Sequence, residues 1–466
     1  MKIVNTAKLL FAALLVAASL VACKKDDNED KNKLLIEFER SAAFFDYGQN
    51  RLLTFEKKNV MSITPSAPEG WGVAILDSGL SVTAPAANAS NAKLSGSVTI
   101  TAKDAEGNSE TASIIVGVRP VNDLSAAGTA NSYIVCDADT RYSIRADVKG
   151  NAVAQKITPS GAMLLWQTSK DLLQYVELVD GKIIFNTTYG AERLTPGNAL
   201  IAALDDNDNI LWSWHIWVTP EDPRNEVCTY PDGSTAMARN LGALSSCFDT
   251  AADTIFYTYG LLYQWGRKDP FVAGRNASST SNAYTYDASG KSVNMKFVES
   301  SASTGTIAYA AAHPTEFIKG AEDNAYDWLF SSHDNTLWSS AKTLNDPCPA
   351  GWRVASRSLW AQFTTTGRET QQRSEFNVTD DFFHGWKFNA DADATSFFPA
   401  VGRRSFANGI IANTDSSGAI GIGFYWSCEP SAEAGRSAAL SFTASNVNPA
   451  DSRQRANGQS IRCVRE

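Results

Sequence analysis

From residue 34 onward, apolar and polar positions alternate in short runs broken by turn residues, the period-two pattern of half-buried strands. Ser97-Val98-Thr99-Ile100-Thr101-Ala102 and Ala112-Ser113-Ile114-Ile115-Val116-Gly117-Val118 predict two paired strands. Asp104-Ala105-Glu106-Gly107-Asn108 joins them, with Gly107 free to take positive φ. Residues 34–120 read in this way as an immunoglobulin-like sandwich with no chemistry standing out. Residues 121–223 predict a second β-sandwich, with strong strands at 198–204 and 210–218. In the second of these, alternation puts Trp212, Trp214, Ile216 and Val218 on one face as core. Ser213, His215 and Trp217 fall on the other, available to pack against whatever follows. The connecting run Asp205-Asp206-Asn207-Asp208-Asn209 spaces oxygens like a calcium loop. Its sixth position is Ile210 rather than Gly and its twelfth Ile216 rather than Glu, so a polar hairpin turn is the reading. Pro220 and Pro223 mark a boundary. Residues 224–466 are loop-rich, with a long exposed loop expected from Ala277 to Gly290 and the best helix candidate from Arg357 to Thr365.

At 466 residues the chain is too long for one core. A hydrophobic share of 44% with 12 Trp, 14 Tyr and 22 Phe excludes general disorder. A net charge of −9 argues against a nucleic-acid partner, which would be held through its phosphates. Four histidines leave little for His-based catalysis or metal binding, and no Cys or His cluster has metal spacing.

The N-terminus reads as an address. Lys2 and Lys8 precede an apolar run from Leu9 to Ala22, short of the roughly 20 residues a membrane span needs. It ends in Leu20-Val21-Ala22-Cys23, which resembles a bacterial lipobox and makes Cys23 the expected lipidation site, with residues 1–22 as the signal peptide. Residues 23–33 form an acidic tether. Its Lys24-Lys25-Asp26-Asp27-Asn28-Glu29-Asp30 resembles the export tag of Bacteroidota surface lipoproteins. The expected location is the outer membrane, facing the cell exterior, with the lipid bilayer as a partner through acyl chains on Cys23. In such an oxidising compartment disulfides are allowed among Cys136, Cys228, Cys247, Cys348, Cys428 and Cys463.

Residues 224–466 carry a series of local signatures. These are Arg239-Asn240-Leu241-Gly242-Ala243, Gly260-Leu261-Leu262-Tyr263-Gln264-Trp265-Gly266-Arg267-Lys268-Asp269-Pro270-Phe271 and Asp346-Pro347-Cys348-Pro349-Ala350-Gly351-Trp352-Arg353-Val354. Phe398-Pro399-Ala400-Val401-Gly402, Tyr425-Trp426-Ser427 and Ser460-Ile461-Arg462-Cys463-Val464 follow. In this order they resemble the Fibrobacter succinogenes major paralogous domain, a family related to the C-type lectin-like fold. Ala130-Asn131-Ser132-Tyr133-Ile134-Val135 and the Trp-rich hairpin resemble segments that accompany it. Ala238 and Ala355 depart from the Asp and Pro usual in the family. The resemblance implies a mainly β chain ending in an α+β C-type lectin-like domain, stapled by Cys348–Cys463 where its termini meet. Closing that loop of about 115 residues would stabilise by ~4 to 5 kcal/mol. Cys136 with Cys228 and Cys247 with Cys428 are further pairings to test.

A lectin-like module implies a non-catalytic role, binding a glycan or a surface protein. Trp265, Trp352, Trp360 and Trp426 sit in the family motifs and are expected in the core. Trp328, Trp338 and Trp386 have polar sequence neighbours and are the candidate sugar-stacking residues. No cofactor is expected, apart from a calcium ion at Glu429 in Glu429-Pro430-Ser431, the nearest match to the calcium tripeptide of sugar-binding lectins. Within the binding class the alternative is a fimbrial tip or accessory subunit. An activity of the formylglycine-generating kind lacks its thiol pair, because residues 435–462 contain no Cys. Asp249-Thr250-Ala251 and Asp253-Thr254-Ile255 match a short O-glycosylation acceptor.

Overall fold

The computed structural model describes residues 33–248, 254–275, 282–392, 394–412 and 421–466. Cys23, the tether up to Asn32, Asp249-Thr250-Ala251 and Asp253 lie outside them. The chain is mainly β and forms two compact units, divided between Arg119 and Pro120.

In the first unit the two expected strands are present as Ser95–Lys103 and Ser109–Val118, antiparallel from Ser95 opposite Gly117 to Lys103 opposite Ser109. Asp104 closes the loop between them by accepting from the amides of Glu106 and Asn108, and Gly107 takes φ 87°. Ala42–Phe45 and Ser62–Ser66 complete a four-stranded sheet. Asn50–Leu53, Gly79–Thr83 and Gly72–Leu76 form a second sheet. Residues from both, among them Phe45, Trp71, Leu80, Val82, Ile100 and Val116, share one sandwich core.

The second unit begins with another sandwich. One sheet runs Asn122–Asp123, Arg141–Arg145, Lys182–Thr187, Leu173–Val179, and the other Ser132–Val135, Ile210–Val218, Gly197–Leu204, Gly161–Gln167. The alternation in Ile210–Val218 holds: Trp212, Trp214, Ile216 and Val218 fill the sandwich core. Asp205 uses its carboxylate to close the hairpin, accepting from the amides of Asn207 and Asn209.

The opposite face of that strand joins the sandwich to the rest of the chain. Trp217 lies in one core with Met237, Leu241, Tyr263, Trp265, Trp426 and the disulfide. The core around Trp217 therefore spans the Pro220–Pro223 boundary while each side keeps a core of its own, and residues 120–466 form one compact unit. An outward face carrying Trp217 and the buried His215 could not be left in water without losing that burial.

Beyond residue 223, Thr235–Asn240 pairs with the last strand, Arg462–Arg465, which also pairs with Trp352–Val354. A larger sheet holds Phe271–Val272, Leu261–Gln264, Gly458–Ser460, Gly423–Pro430, Arg436–Phe442 and Val447–Gln454. The Cys348–Cys463 bridge is present, and it ties the turn before Trp352 to the final strand. Cys136, Cys228, Cys247 and Cys428 are free thiols, so neither further pairing is made.

The helix expected from Arg357 to Thr365 ends at Ala361. Trp360 and Phe363 turn into an aromatic core with Phe388 and Phe398, and Gln362 onward continues as turns. A second short helix, Ile307–Ala312, is capped by Thr306, whose hydroxyl accepts from the Tyr309 amide.

Candidate functional site

The stacking residues expected from sequence are not at the surface. Trp328, Trp338 and Trp386 are 1%, 0% and 2% exposed. Their indole N–H groups donate to the carbonyls of Trp265, Asn345 and Thr443 at 2.8, 2.9 and 2.9 Å. A buried indole needs such an acceptor, and in a loop-rich domain the acceptor is loop backbone. The polar sequence neighbours are thus the segments that fold over the ring.

Glu429 is also in internal use. It stands near the end of the Gly423–Pro430 strand and accepts from the Arg357 amide at 3.1 Å and from the Ser427 hydroxyl. Ser356 makes no side-chain cap to the Arg357–Ala361 helix, and Glu429 fills that role from across the fold. Among the described residues no group of three His, Cys, Asp or Glu side chains is placed to hold a metal ion.

The concave surface lies elsewhere, on the seam between the second sandwich and the residues after 223. A cavity of about 500 Å³ is lined by Thr168, Ser169, Thr195 and Asn198 from the sandwich side. Gly242, Phe256, Tyr257, Leu261 and Tyr284 line the other. A second cavity of about 330 Å³ adjoins it, lined by Trp166, Phe271, Asn294 and Met295 among others. Val272, Arg275, Ala283 and Tyr284 line both, so the two form one groove divided by a shared wall. Both volumes fall within the ~300–1,000 Å³ of small-molecule sites.

The groove has a rigid floor. Asn198, 5% exposed, donates through Nδ2 to the Gly242 carbonyl at 2.9 Å, and its Oδ1 lies 2.8 Å from His215 Nε2. His215 Nδ1 is 3.0 Å from Ser132 Oγ, and Ser132 Oγ is 2.6 Å from the Pro347 carbonyl. Full burial drives the His215 imidazole down to about 3, so the ring stands neutral. Gly242 takes φ 83°, and a Cβ there would meet Leu261 Cγ at 2.7 Å and Asn198 Oδ1 at 3.0 Å. The Gly of Arg239-Asn240-Leu241-Gly242 is thus needed for the floor to close.

The wall is pinned from behind. Gly274 and Asn282 form an antiparallel bridge, and the Ala283 amide donates to the Ala273 carbonyl at 3.0 Å. Arg404, fully buried, donates to the Val272 carbonyl, to the Gly409 carbonyl at 2.9 Å and to Asn282 Oδ1 at 2.8 Å. Burial pulls its guanidinium down to about 9. Tyr286 exchanges backbone hydrogen bonds with Gln167, at 2.9 and 2.8 Å, and so attaches the chain after Tyr284 to the sandwich edge. The described part of the run expected as a long exposed loop to Gly290 is half-buried to exposed, and at Tyr286 it is tied to the sandwich edge.

At the rim, Tyr257 and Tyr284 are 40% and 52% exposed. The Arg275 guanidinium lies over the Tyr284 ring at 3.8 Å. No Asp, Glu, His, Cys or Lys lines either cavity among the described residues. The described residues of the groove can therefore stack and hydrogen-bond a ligand. Tyr257, Arg275 and Tyr284 were not singled out in the sequence. Their one local signal was a cluster of aromatics, Phe256-Tyr257 beside an apolar run and Tyr284-Thr285-Tyr286 in a polar one.

The class that fold and groove define is a mainly β chain of sandwich domains with an aromatic-rimmed cleft. No family model matches the chain, and no curated protein matches it. Among solved structures it is similar to the D00-D0 domain of intimin, at 13% identity over 40% of this chain and 96% of that one, TM-score 0.17. It is likewise similar to mouse clustered PcdhgC3 EC1-3, at 14% identity over 40% and 68%, TM-score 0.15. Human protocadherin-24 EC1-2 gives 14% identity over 41% and 100%, TM-score 0.15. At these scores the likenesses carry no argument about this chain.

Proposed function

We propose that this chain is a surface lipoprotein, anchored to the outer membrane through Cys23, whose residues 120–466 capture a glycan without catalysis. Its lipobox-like leader, its acidic tether and its resemblance to the Fibrobacter succinogenes major paralogous domain support the location and class. One observation carries the ligand reading: two solvent-facing tyrosines at the mouth of a preformed groove with a hydrogen-bonding floor. Sugars present apolar faces to aromatic rings and hydroxyls to polar groups, which is what Tyr257 and Tyr284 at the rim and Ser169 and Thr195 in the lining offer. Calcium has no place in this reading, since Glu429 is engaged at a helix start.

The test is a glycan array probed with the full chain lacking residues 1–23, with calcium and with chelator. Binding to a subset of glycans, unchanged by chelator and weakened about 3- to 10-fold by Tyr257→Ala, is expected. Binding lost with chelator would overturn the calcium-free site. No binding to any glycan would redirect attention to a protein partner, as for a pilus subunit.

A further inference from the structure

We infer that the ligand of this groove is an acidic oligosaccharide, one carrying a carboxylate in a uronic or sialic acid, read by Arg275. The inference rests on the glycan reading above and adds the ligand's charge. Arg275 lines both cavities and is the one charged side chain in either among the described residues. It is exposed at the wall that the two cavities share.

Its surroundings favour an anion. The chain carries a net charge of −9, with 50 acidic residues against 41 basic, yet no Asp or Glu is among the described residues lining the groove. No described lining residue supplies a carboxylate to compete for the guanidinium. The planar fork of a guanidinium matches the two oxygens of a carboxylate. Stacking on Tyr284 fixes the plane of that fork, so less side-chain freedom is lost when it is engaged. Arg404 anchors Val272 and Asn282 from within the core, and Gly274, the residue before Arg275, is bridged to Asn282.

The experiment compares matched sugars that differ in charge: 3′-sialyllactose against lactose, and trigalacturonate against its methyl ester. Titrations use the full chain lacking residues 1–23 and its Arg275→Gln and Tyr257→Ala variants, with circular dichroism confirming that each is folded. The expected result is about 10-fold tighter binding of the acidic member of at least one pair, the pair naming the source of the carboxylate. R275Q should remove that preference, and Y257A should weaken both members alike. Equal binding of acidic and neutral sugars, or a preference that survives R275Q, would overturn the inference and leave the glycan reading standing. Failure of every sugar, on these titrations and on the array, would overturn both.

Discussion

At the scale of single residues, Lys268 and Asp269 help close the seam between the second sandwich and the residues after 223. Lys268 and Asp269, each 3% exposed at the side chain, form an ion pair at 2.5 Å against the outward face of the Trp-rich strand. Ser213 Oγ donates to Asp269 at 2.6 Å, while Lys268 donates to the Ser213 carbonyl at 3.0 Å and lies 4.4 Å from the Trp212 ring centroid. Removing one member leaves the other charge buried and unpaired. Asp269→Ala should therefore lower the stability of the second unit by about 3–5 kcal/mol, read from its urea midpoint. His215 gives a pH dependence of known sign. Its imidazole is held down at about 3 in the fold, against 6.5 as its ordinary value. The unfolded chain then binds the extra proton between those values. This contribution is fully present above pH 6.5 and is lost as pH falls toward 3. His215→Gln should give a shallower acid limb in that window, and an unchanged slope would refute the assignment.

At the scale of elements, alternation identified the strands well, because one buried face imposes period two on the sequence. Ser95–Lys103, Ser109–Val118, Gly197–Leu204 and Ile210–Val218 all lie where the pattern places them. The two faces of Ile210–Val218 were legible down to the side chain. The groove was not, because it is made by Thr168–Asn198 meeting Gly242–Tyr284, and no local pattern encodes a contact between segments so far apart. Composition also pointed misleadingly toward Trp. A tryptophan in a loop-rich core is covered by polar segments whose carbonyls accept its N–H, so its sequence neighbours resemble those of an exposed ring. The accompanying Asn131-Ser132 segment has a structural explanation as well. Asn131 Nδ2 donates to the Leu344 and Asp346 carbonyls, and Ser132 Oγ to that of Pro347. Asn131 Oδ1 accepts from Trp212 Nε1 at 2.9 Å. The Asp-Pro-Cys-Pro turn is thus supported by residues more than two hundred positions earlier.

For the whole molecule, the division at Arg119 and Pro120 and the core shared across residue 223 predict two thermal transitions rather than three. Cys348→Ser with Cys463→Ser should move only the transition of residues 120–466 to lower temperature, with a loss of about 4–5 kcal/mol if the chain-entropy account holds. A third transition in calorimetry would refute the shared core. The same bridge bears on what happens to the chain in an environment rich in proteases. It closes a ring of polypeptide from residue 348 to residue 463, which includes the strands Arg403–Arg404, Gly423–Pro430 and Val447–Gln454. A single cut anywhere inside that ring releases no fragment, since both pieces remain joined through sulfur. The wound stays covalently closed until a reductant reaches Cys348 and Cys463, and both are fully buried.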